Sequence, residues 1–478
     1  MHRCLILGLL VCLIPTLASA EAPDIEWQAM YGSSGHDWAH CVIEVESGGF
    51  VIAGQYFHMP YGTGDDDFYV VRVDASGHIM WDSTYGGENS DVAGCVVNAA
   101  DGGFMVCGWE NSFFPDGTNI WVVKTDAGGR REWETVYGGI DTATSARSMC
   151  KTLDGNYMIA GNDIGGWYFV KIDSDGHILN EVRIDRSLDF HEITPTSDGG
   201  AIAIGGGTVM FLAKLDVDGD TLWTRSYGSG YGSSVIQLPD GGYAATGHKS
   251  VTLLDDEFWL LRLDENGNKL WDRHYGNQFP DKAYSLRRTF DGGFVMAGLM
   301  YPANGTENAQ VWVVRTDAIG DTIWTKAFGG TGTDFAFCIQ QTSDSGYIVA
   351  GKSTSTANDD NDMYVVKLEK DPAMITAADD ENQGTLPQFA LNQNHPNPFN
   401  PETEITFSLT KKSNIRLVVY NLLGEEVATL VDAELGAGEH RVVWDGMTKA
   451  GRRAATGVYC YRIEANGIAE SKKMLLLK

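Results

Sequence analysis

Apolar and polar positions recur in one arrangement from Trp27 to Glu369, with successive units 42 to 54 residues apart. Each unit holds a turn such as Asp101-Gly102-Gly103-Phe104, with equivalents beginning at Ser47, Asp154, Asp198, Asp240, Asp291 and Asp344. An apolar run with one embedded cation follows, as in Phe68-Tyr69-Val70-Val71-Arg72-Val73-Asp74. Its cation recurs as Lys124, Lys171, Lys214, Arg262, Arg315 and Lys367. The unit ends on a Trp with an aromatic residue and a Gly four and five positions later, as in Trp81, Tyr85 and Gly86. That Trp recurs at Trp27, Trp133, Trp223, Trp271 and Trp324 and is missing only in the copy around Asn180 to Asp185.

The pattern predicts four short antiparallel strands per unit: one before the Gly-Gly turn, one after it, the cation strand and the Trp strand. Glycine supplies the positive-φ positions that tight hairpins need. Four strands in a unit of this length make a β-propeller blade, with an open solenoid or a row of sandwiches as the alternative. The chain starts with a lone Trp strand, Ile25 to Tyr31, and the seventh unit stops at Glu369 without one. The expected fold is therefore all-β, a seven-bladed β-propeller over residues 21–370 whose N-terminal strand completes the last blade and so pairs an otherwise open edge.

Beyond Glu369 the period is lost, and residues 371–387 read as a polar linker. From 388 to 478 alternating or apolar strands are expected at Ile405 to Leu409, Ile415 to Tyr420, His440 to Trp444, Val458 to Ile463 and Lys473 to Lys478, separated by Gly424, Gly438, Gly446 and Gly457. This predicts a small antiparallel β-sandwich.

Residues 1–20 read as a secretory signal peptide: His2 and Arg3, an apolar run from Leu5 to Ile14, then Ala18-Ser19-Ala20. The run is too short for the ~20 residues that cross a bilayer. Cleavage takes Arg3 and no acid, leaving 34 basic against 64 acidic residues, of which 11 and 10 lie from Gln388 onward. The acidity belongs to the repeat region and argues against a nucleic-acid partner. The remaining cysteines, Cys41, Cys95, Cys107, Cys150, Cys338 and Cys460, have no zinc-binding spacing.

A feature present in every blade serves the fold most economically, whereas one found in a single blade is free to serve a function. By that rule the seven cations, each two residues before an acid, read as blade-internal ion pairs or a solvated edge and not as a ring for anions. Cys41, Cys95 and Cys338, aligned with Ser234 and Ser285, read as a slot for small packed residues. Candidate metal ligands are the acids before the cation strand: Asp65, Asp66 and Asp67 in one blade, Asp359, Asp360 and Asp362 in another, with Asp255, Asp256 and Glu257 similar. They could hold Ca²⁺, although none forms an EF-hand loop; no other cofactor is expected. Candidate ligand-binding aromatics are Tyr61, Trp109, Phe113, Phe114 and Tyr301, on connections expected to emerge on one face of the ring. No catalytic cluster has a recognisable linear spacing. Non-repeated His, Glu or Arg side chains converging on one mouth of the ring would favour an enzyme acting on extracellular glycans; a mouth lined by repeat-equivalent residues would favour recognition or scaffolding.

Four resemblances accompany these readings. Asp317-Ala318-Ile319-Gly320-Asp321-Thr322-Ile323-Trp324 resembles the blade motif of pyrroloquinoline-quinone enzymes and their non-enzymatic relatives, one residue shorter and without an adjacent Cys pair, and also the Asp-box of sialidases at a different spacing. The repeats are similar to those of secreted bacterial propeller proteins. The C-terminal segment is more specific. It carries Pro396, Pro398, Phe399 and Pro401, then Tyr420 with Gly424, Gly438 with His440, Trp444-Asp445-Gly446, Gly457 with Tyr459, and a tail containing Lys473 and Lys478. These motifs resemble the type A C-terminal sorting domain of the type IX secretion system, whose fold is similar to the Ig-like domain of flagellar hook-capping proteins. The resemblance implies export through the periplasm to the cell surface or medium, with the type IX machinery as partner; the extracellular ligand, a glycan or a protein, is expected from the loop aromatics and not from the resemblance.

Overall fold

The computed structural model describes residues 21–33, 35–58, 65–112, 117–138, 144–185, 189–252, 255–302, 308–355, 361–374, 389–391, 394, 397, 399–409, 412–421, 426–436, 438–449, 451–465 and 468–476. The chain divides into two compact units, one ending at Met374 and one beginning at Ile375. Among the described residues no helix is long and apolar enough to cross a membrane. The expected signal peptide, and all of the expected linker 371–387 beyond residue 374, lie outside the described residues.

The first unit contains seven four-stranded antiparallel sheets. After β1 (Ile25–Tyr31), blade one is β2 (Trp38–Glu44), β3 (Phe50–His58), β4 (Asp65–Val73) and β5 (Ile79–Tyr85); blade two is β6 (Val92–Asn98), β7 (Phe104–Glu110), β8 (Asn119–Thr125) and β9 (Arg131–Tyr137). Blade three is β10 (Ser145–Lys151), β11 (Tyr157–Asp163), β12 (Gly166–Ile172) and β13 (Ile178–Asp185); blade four is β14 (Asp189–Pro195), β15 (Ala201–Gly206), β16 (Val209–Leu215) and β17 (Thr221–Ser229). Blade five is β18 (Tyr231–Gln237), β19 (Tyr243–Thr252), β20 (Asp255–Leu263) and β21 (Lys269–Tyr275); blade six is β22 (Lys282–Arg288), β23 (Phe294–Met300), β24 (Gln310–Thr316) and β25 (Thr322–Phe328). Blade seven is β26 (Asp334–Gln341), β27 (Tyr347–Ser353) and β28 (Asp362–Leu368), and β1 is its fourth strand, paired antiparallel with β28. The expected closure by the N-terminal strand is present. The first strand of each blade touches the first strand of the next, β26 touches β2, and the ring closes.

The repeated aromatics stitch neighbouring blades. Each fourth strand leans on the turn between strands three and four of the next blade. Tyr31 donates to the Gly77 carbonyl (2.6 Å), Tyr137 to Gly176 (2.7 Å), Tyr227 to Gly267 (2.6 Å) and Tyr275 to Gly320 (2.6 Å), and Tyr85 donates to Gly129. The Trp covers the same turn: Trp27 Nε1 donates to Ala75 and Trp81 Nε1 to Ala127. Gly129 has φ +79°, and a Cβ there would lie 2.6 Å from the Trp81 ring, so conformation and space both require glycine. In the copy that lacks Trp, Asn180 Nδ2 donates to the Asp218 carbonyl at 2.8 Å and takes over the stitch.

The repeated cations form blade-internal ion pairs, but not with the acid two residues on. Each reaches back to the Asp of its own Gly-Gly turn: Lys124 to Asp101 (2.7 Å), Lys171 to Asp154 (2.7 Å), Lys214 to Asp198 (2.8 Å), Arg315 to Asp291 (2.5 Å), Lys367 to Asp344 (2.8 Å), and Arg262 to Asp240. Blade one has Ser47 in place of that Asp, and Arg72 bonds the Phe50 and Gly48 carbonyls instead. The acid two residues on shapes the following turn: Asp126 Oδ1 accepts from the Gly128 and Arg130 amides at 2.9 Å.

Blade seven has no turn between strands three and four for Trp324 to cover, because its fourth strand comes from the N-terminus. Asp371 fills that place. It is fully buried and accepts from Trp324 Nε1 (2.8 Å), Arg315 Nε (3.0 Å) and Tyr347 Oη (2.5 Å). Residues 371–374, including a 3-10 turn at Pro372–Met374, thus belong to the propeller.

The second unit has two sheets. One is β29 (Phe389–Leu391), β30 (Thr403–Leu409) and β33 (Gly438–Trp444); the other contains β31 (Ser413–Tyr420), β32 (Glu426–Leu435), β34 (Gly457–Ala465) and β35 (Ile468–Leu476), in the order β32-β31-β34-β35. Their inner faces share one core that includes Phe399, Trp444, Tyr459 and Tyr461. The expected sandwich is present, with β32 as a strand that alternation did not reveal. Register shifts at Leu417/Val418 and Val419/Tyr420 break its period against β31.

Asp371→Ala takes from the buried Arg315 guanidinium one of its two carboxylates, leaving Nε only the Tyr347 hydroxyl at 3.1 Å, and strips Trp324 Nε1 of its acceptor, so a loss of about 3–5 kcal/mol is expected in denaturant unfolding. Asp101→Ala removes a carboxylate that is 56% exposed while Glu132 still holds Lys124, so it should cost no more than about 1 kcal/mol.

Candidate ligand site at the mouth of the ring

Every first strand of the ring carries a β-bulge at the same register. The pairing with the second strand shifts between Ala39 and Cys41, Ala93 and Cys95, Ala146 and Ser148, Phe190 and Glu192, Gly232 and Ser234, Ala283 and Ser285, and Ala336 and Cys338. The extra residue stands outside the ladder. It is His40, Gly94, Arg147, His191, Ser233, Tyr284 and Phe337 in blades one to seven, different in almost every blade. All seven line one cavity of about 420 Å³, together with Trp38, Gln55, Val92, Trp109 and Ala146. That volume lies in the ~300–1,000 Å³ range of small-molecule sites.

The position after each bulge is the small-residue slot, and its role is a hydrogen bond to the next first strand. Ser148 Oγ accepts from Ile193 N (3.2 Å), Glu192 from Val235 N (3.0 Å), Ser234 from Leu286 N (3.1 Å) and Ser285 from Ile339 N (3.2 Å). The thiols of Cys338, Cys41 and Cys95 point at the Val42, Val96 and Met149 carbonyls at 3.7, 3.6 and 3.5 Å. These contacts complete a circle below the cavity. Glu192, the one long side chain in the slot, is balanced by Arg287 at 3.0 Å.

The walls divide into an aromatic side and a polar side. Phe337 lies at ring-centroid distances of 5.5 Å from His40, 5.6 Å from Tyr284 and 6.3 Å from Trp38. Opposite them His191 Nε2 is 2.6 Å from the Tyr231 hydroxyl, which also donates to Asp189 (3.3 Å), and Arg147 Nη1 is 3.5 Å from His191 Nδ1. Burial, and then the Arg147 charge, pushes the His191 pKa down to about 3. Burial also lowers His40 to about 4, opposed by a hydrogen bond to Gln55 and aided by the Arg147 and Lys352 charges. Both imidazoles are neutral at pH 7 and can each donate and accept one hydrogen bond. Burial raises Tyr284 and Tyr231 to about 12, so both stay phenols. Ser233 is 6% exposed, and neither its Oγ nor Trp38 Nε1 has a hydrogen-bond partner among the described residues.

Of the expected aromatics, Trp109 lines this cavity, from strand β7 and not from a loop. Tyr301 is half-buried after β23, where its amide donates to Asp281. Tyr61, Phe113 and Phe114 lie outside the described residues. The acids expected on a loop are strand residues instead: Asp65, Asp66 and Asp67 open β4, and Asp362 opens β28. Successive strand side chains point to opposite faces, so Asp65, Asp66 and Asp67 do not converge on one ion. Asp66 is engaged by Gln55 (3.1 Å); Asp359 and Asp360 lie outside the described residues. Among the described residues the one group of three potential metal ligands is Asp173, Asp175 and His177, in a turn where Asp173 Oδ1 already accepts from the Asp175 and His177 amides.

In the second unit the quoted motifs build the sandwich core. Phe399 and Tyr459 flank Trp444 at 5.6 and 5.2 Å, Trp444 Nε1 donates to the Met447 carbonyl, and Asp445 accepts from the Met447 amide. Gly446 has φ +71°, Gly438 and Gly457 open β33 and β34, and Tyr420 and Lys473 both pair with Cys460 of β34. Pro396, Pro398, Gly424 and Lys478 lie outside the described residues.

The depressed imidazoles predict that the native state binds fewer protons than the unfolded chain below pH 6.5. Stability is then full above 6.5 and falls as the pH drops towards 4. An NMR titration should find His40 with a midpoint near 4 and His191 near 3, and exchanging both for Gln should flatten the stability profile in that window.

The FlgD Ig-like domain family matches residues 393–467. No curated protein matches the sequence. Solved structures that resemble the chain include a protein of unknown function from Bacteroides caccae (13% identity, TM-score 0.39, covering 59% of this chain and 98% of that one). Virginiamycin B lyase from Staphylococcus aureus is similar at 10% identity, TM-score 0.47, covering 71% and 99%. PorZ, a surface component of the type IX secretion system of Porphyromonas gingivalis, is similar at 12% identity, TM-score 0.30, covering 90% and 69%. At these identities and TM-scores they carry no argument about function. The chain is thus a seven-bladed β-propeller followed by a domain similar to the FlgD Ig-like family.

Proposed function

We propose that this protein is exported to the cell surface or medium and binds an extracellular ligand in the mouth of its ring. The observation that carries the reading is the seven-fold bulge: a repeated frame presents to a single cavity a side chain that differs in almost every blade. The lining positions are repeat-equivalent, which favours recognition, while the side chains that fill them, among them His40, Arg147, His191, Tyr284 and Phe337, make a surface that distinguishes one ligand from another. Export rests on the signal-peptide pattern of residues 1–20 and on the C-terminal motifs, which resemble a type IX sorting domain.

A second reading is an enzyme acting on extracellular glycans. The non-repeated His40, Arg147 and His191 favour it, since the His191–Tyr231 contact at 2.6 Å could move a proton.

Glycan-array binding of residues 21–478, with and without Ca²⁺, tests the site. Saturable binding that Trp38→Ala weakens at least tenfold is expected, and binding indifferent to Trp38→Ala places the ligand elsewhere. Release of shortened products from a bound glycan, abolished by His191→Ala, would select the enzyme. In a host with type IX secretion, the chain ending at residue 387 should stay in the periplasm while the full chain reaches the surface; equal export of both overturns the sorting role.

A further inference from the structure

The cations at the mouth break the habit of this acidic domain. Lys124, Lys171, Lys214, Arg262, Arg315 and Lys367 each meet a carboxylate, and so does Arg287 lower in the ring. Arg147 and Lys352 meet none among the described residues. Arg147 is exposed into the cavity and its sole hydrogen-bond neighbour there is a neutral imidazole nitrogen, 3.5 Å away. Lys352, which is not among the residues lining the cavity, is half-buried with its Nζ 3.8 Å over the Trp38 ring. A guanidinium held open beside a cavity is a fork for two carboxylate oxygens.

The rest of the cavity suits a ring with hydroxyl groups. Trp38, Phe337 and Tyr284 offer flat apolar faces to C–H groups. His40, His191 and Ser233 offer neutral donors and acceptors, and the Ser233 hydroxyl is buried without a partner among the described residues. A ligand that supplied those hydrogen bonds would satisfy it.

We propose that the mouth of the ring binds an acidic sugar, a hexuronic acid residue of a glycan, with its carboxylate on Arg147 and its ring against the Trp38, Phe337 and Tyr284 wall. This deepens the ligand-binding reading above and rests on it. A sugar acid presents one carboxylate and several hydroxyls on a compact ring, which matches one open guanidinium among neutral polar groups. The net negative charge of the domain repels acidic polymers at a distance, so recognition depends on the local contact and not on steering.

The test is calorimetric titration of residues 21–478 with galacturonic and glucuronic acid oligosaccharides, and with neutral galactose and glucose oligosaccharides of equal length. The expected result is saturable binding of a uronic acid series at least tenfold tighter than its neutral counterpart. Arg147→Gln should remove that preference and leave the unfolding midpoint unchanged, because the side chain is exposed. Equal binding of both series that Trp38→Ala abolishes overturns the acidic-sugar assignment and leaves the site standing. Binding that neither variant changes, or no binding to a folded sample, overturns both. Uronic acid binding insensitive to Arg147→Gln but lost in Lys352→Gln overturns the assignment of the carboxylate to Arg147.

Discussion

Seven first strands must meet around one axis, and that constraint is satisfied by a circle of side-chain-to-backbone hydrogen bonds. The residue after each bulge reaches the next strand: Ser148, Ser234, Ser285 and Glu192 accept an amide, and Cys41, Cys95 and Cys338 point at a carbonyl. A long apolar residue there would fill the axis and bond nothing. The outer edge has a matching device in the Tyr and Trp that cover the glycine turn of the following blade. Each blade is thereby tied to its neighbour at two radii, and the sheets between need only ordinary antiparallel pairing.

Closing the circle in a linear chain creates one irregular seam, and the protein treats it separately. The ladder edge of β28 is covered by β1, and the missing turn is replaced by Asp371, whose carboxylate gathers Trp324, Arg315 and Tyr347. Chain ends are usually the loosest part of a domain. Here both ends of the ring are held in the same blade. The burial of an aspartate with an arginine is costly in isolation, but the two hydroxyl and indole donors supply the remaining hydrogen bonds that make it tolerable.

The repeat in the sequence was enough to read the blade count, the strand order and the closure, because strand alternation and glycine turns are local. It also allowed the inference that the cations pair within their blades, though Lys171 reaches back to Asp154 and not on to Asp173. The binding residues were less visible. His40, Arg147 and Tyr284 sit inside strands that look regular, and a bulge leaves no mark in a single strand. Aligning the seven units on the Gly-Gly turn holds the signal: the column seven residues before the turn reads His, Gly, Arg, His, Ser, Tyr and Phe, between columns of mostly Ala and mostly Cys or Ser. Asp65, Asp66 and Asp67 misled for the opposite reason, since a run of acids resembles a loop until the ladder with β3 is seen to continue through His58.

The bulge residue makes no ladder bond and the stitching residues never touch the cavity, so the two sets of positions do not overlap. A substitution at residue 40, 147 or 284 changes what the mouth offers and leaves the frame alone. Duplicated genes for such a chain could diverge in specificity one codon at a time without passing through unstable intermediates. Seven codons randomised together would make this ring a library of pockets on a constant support.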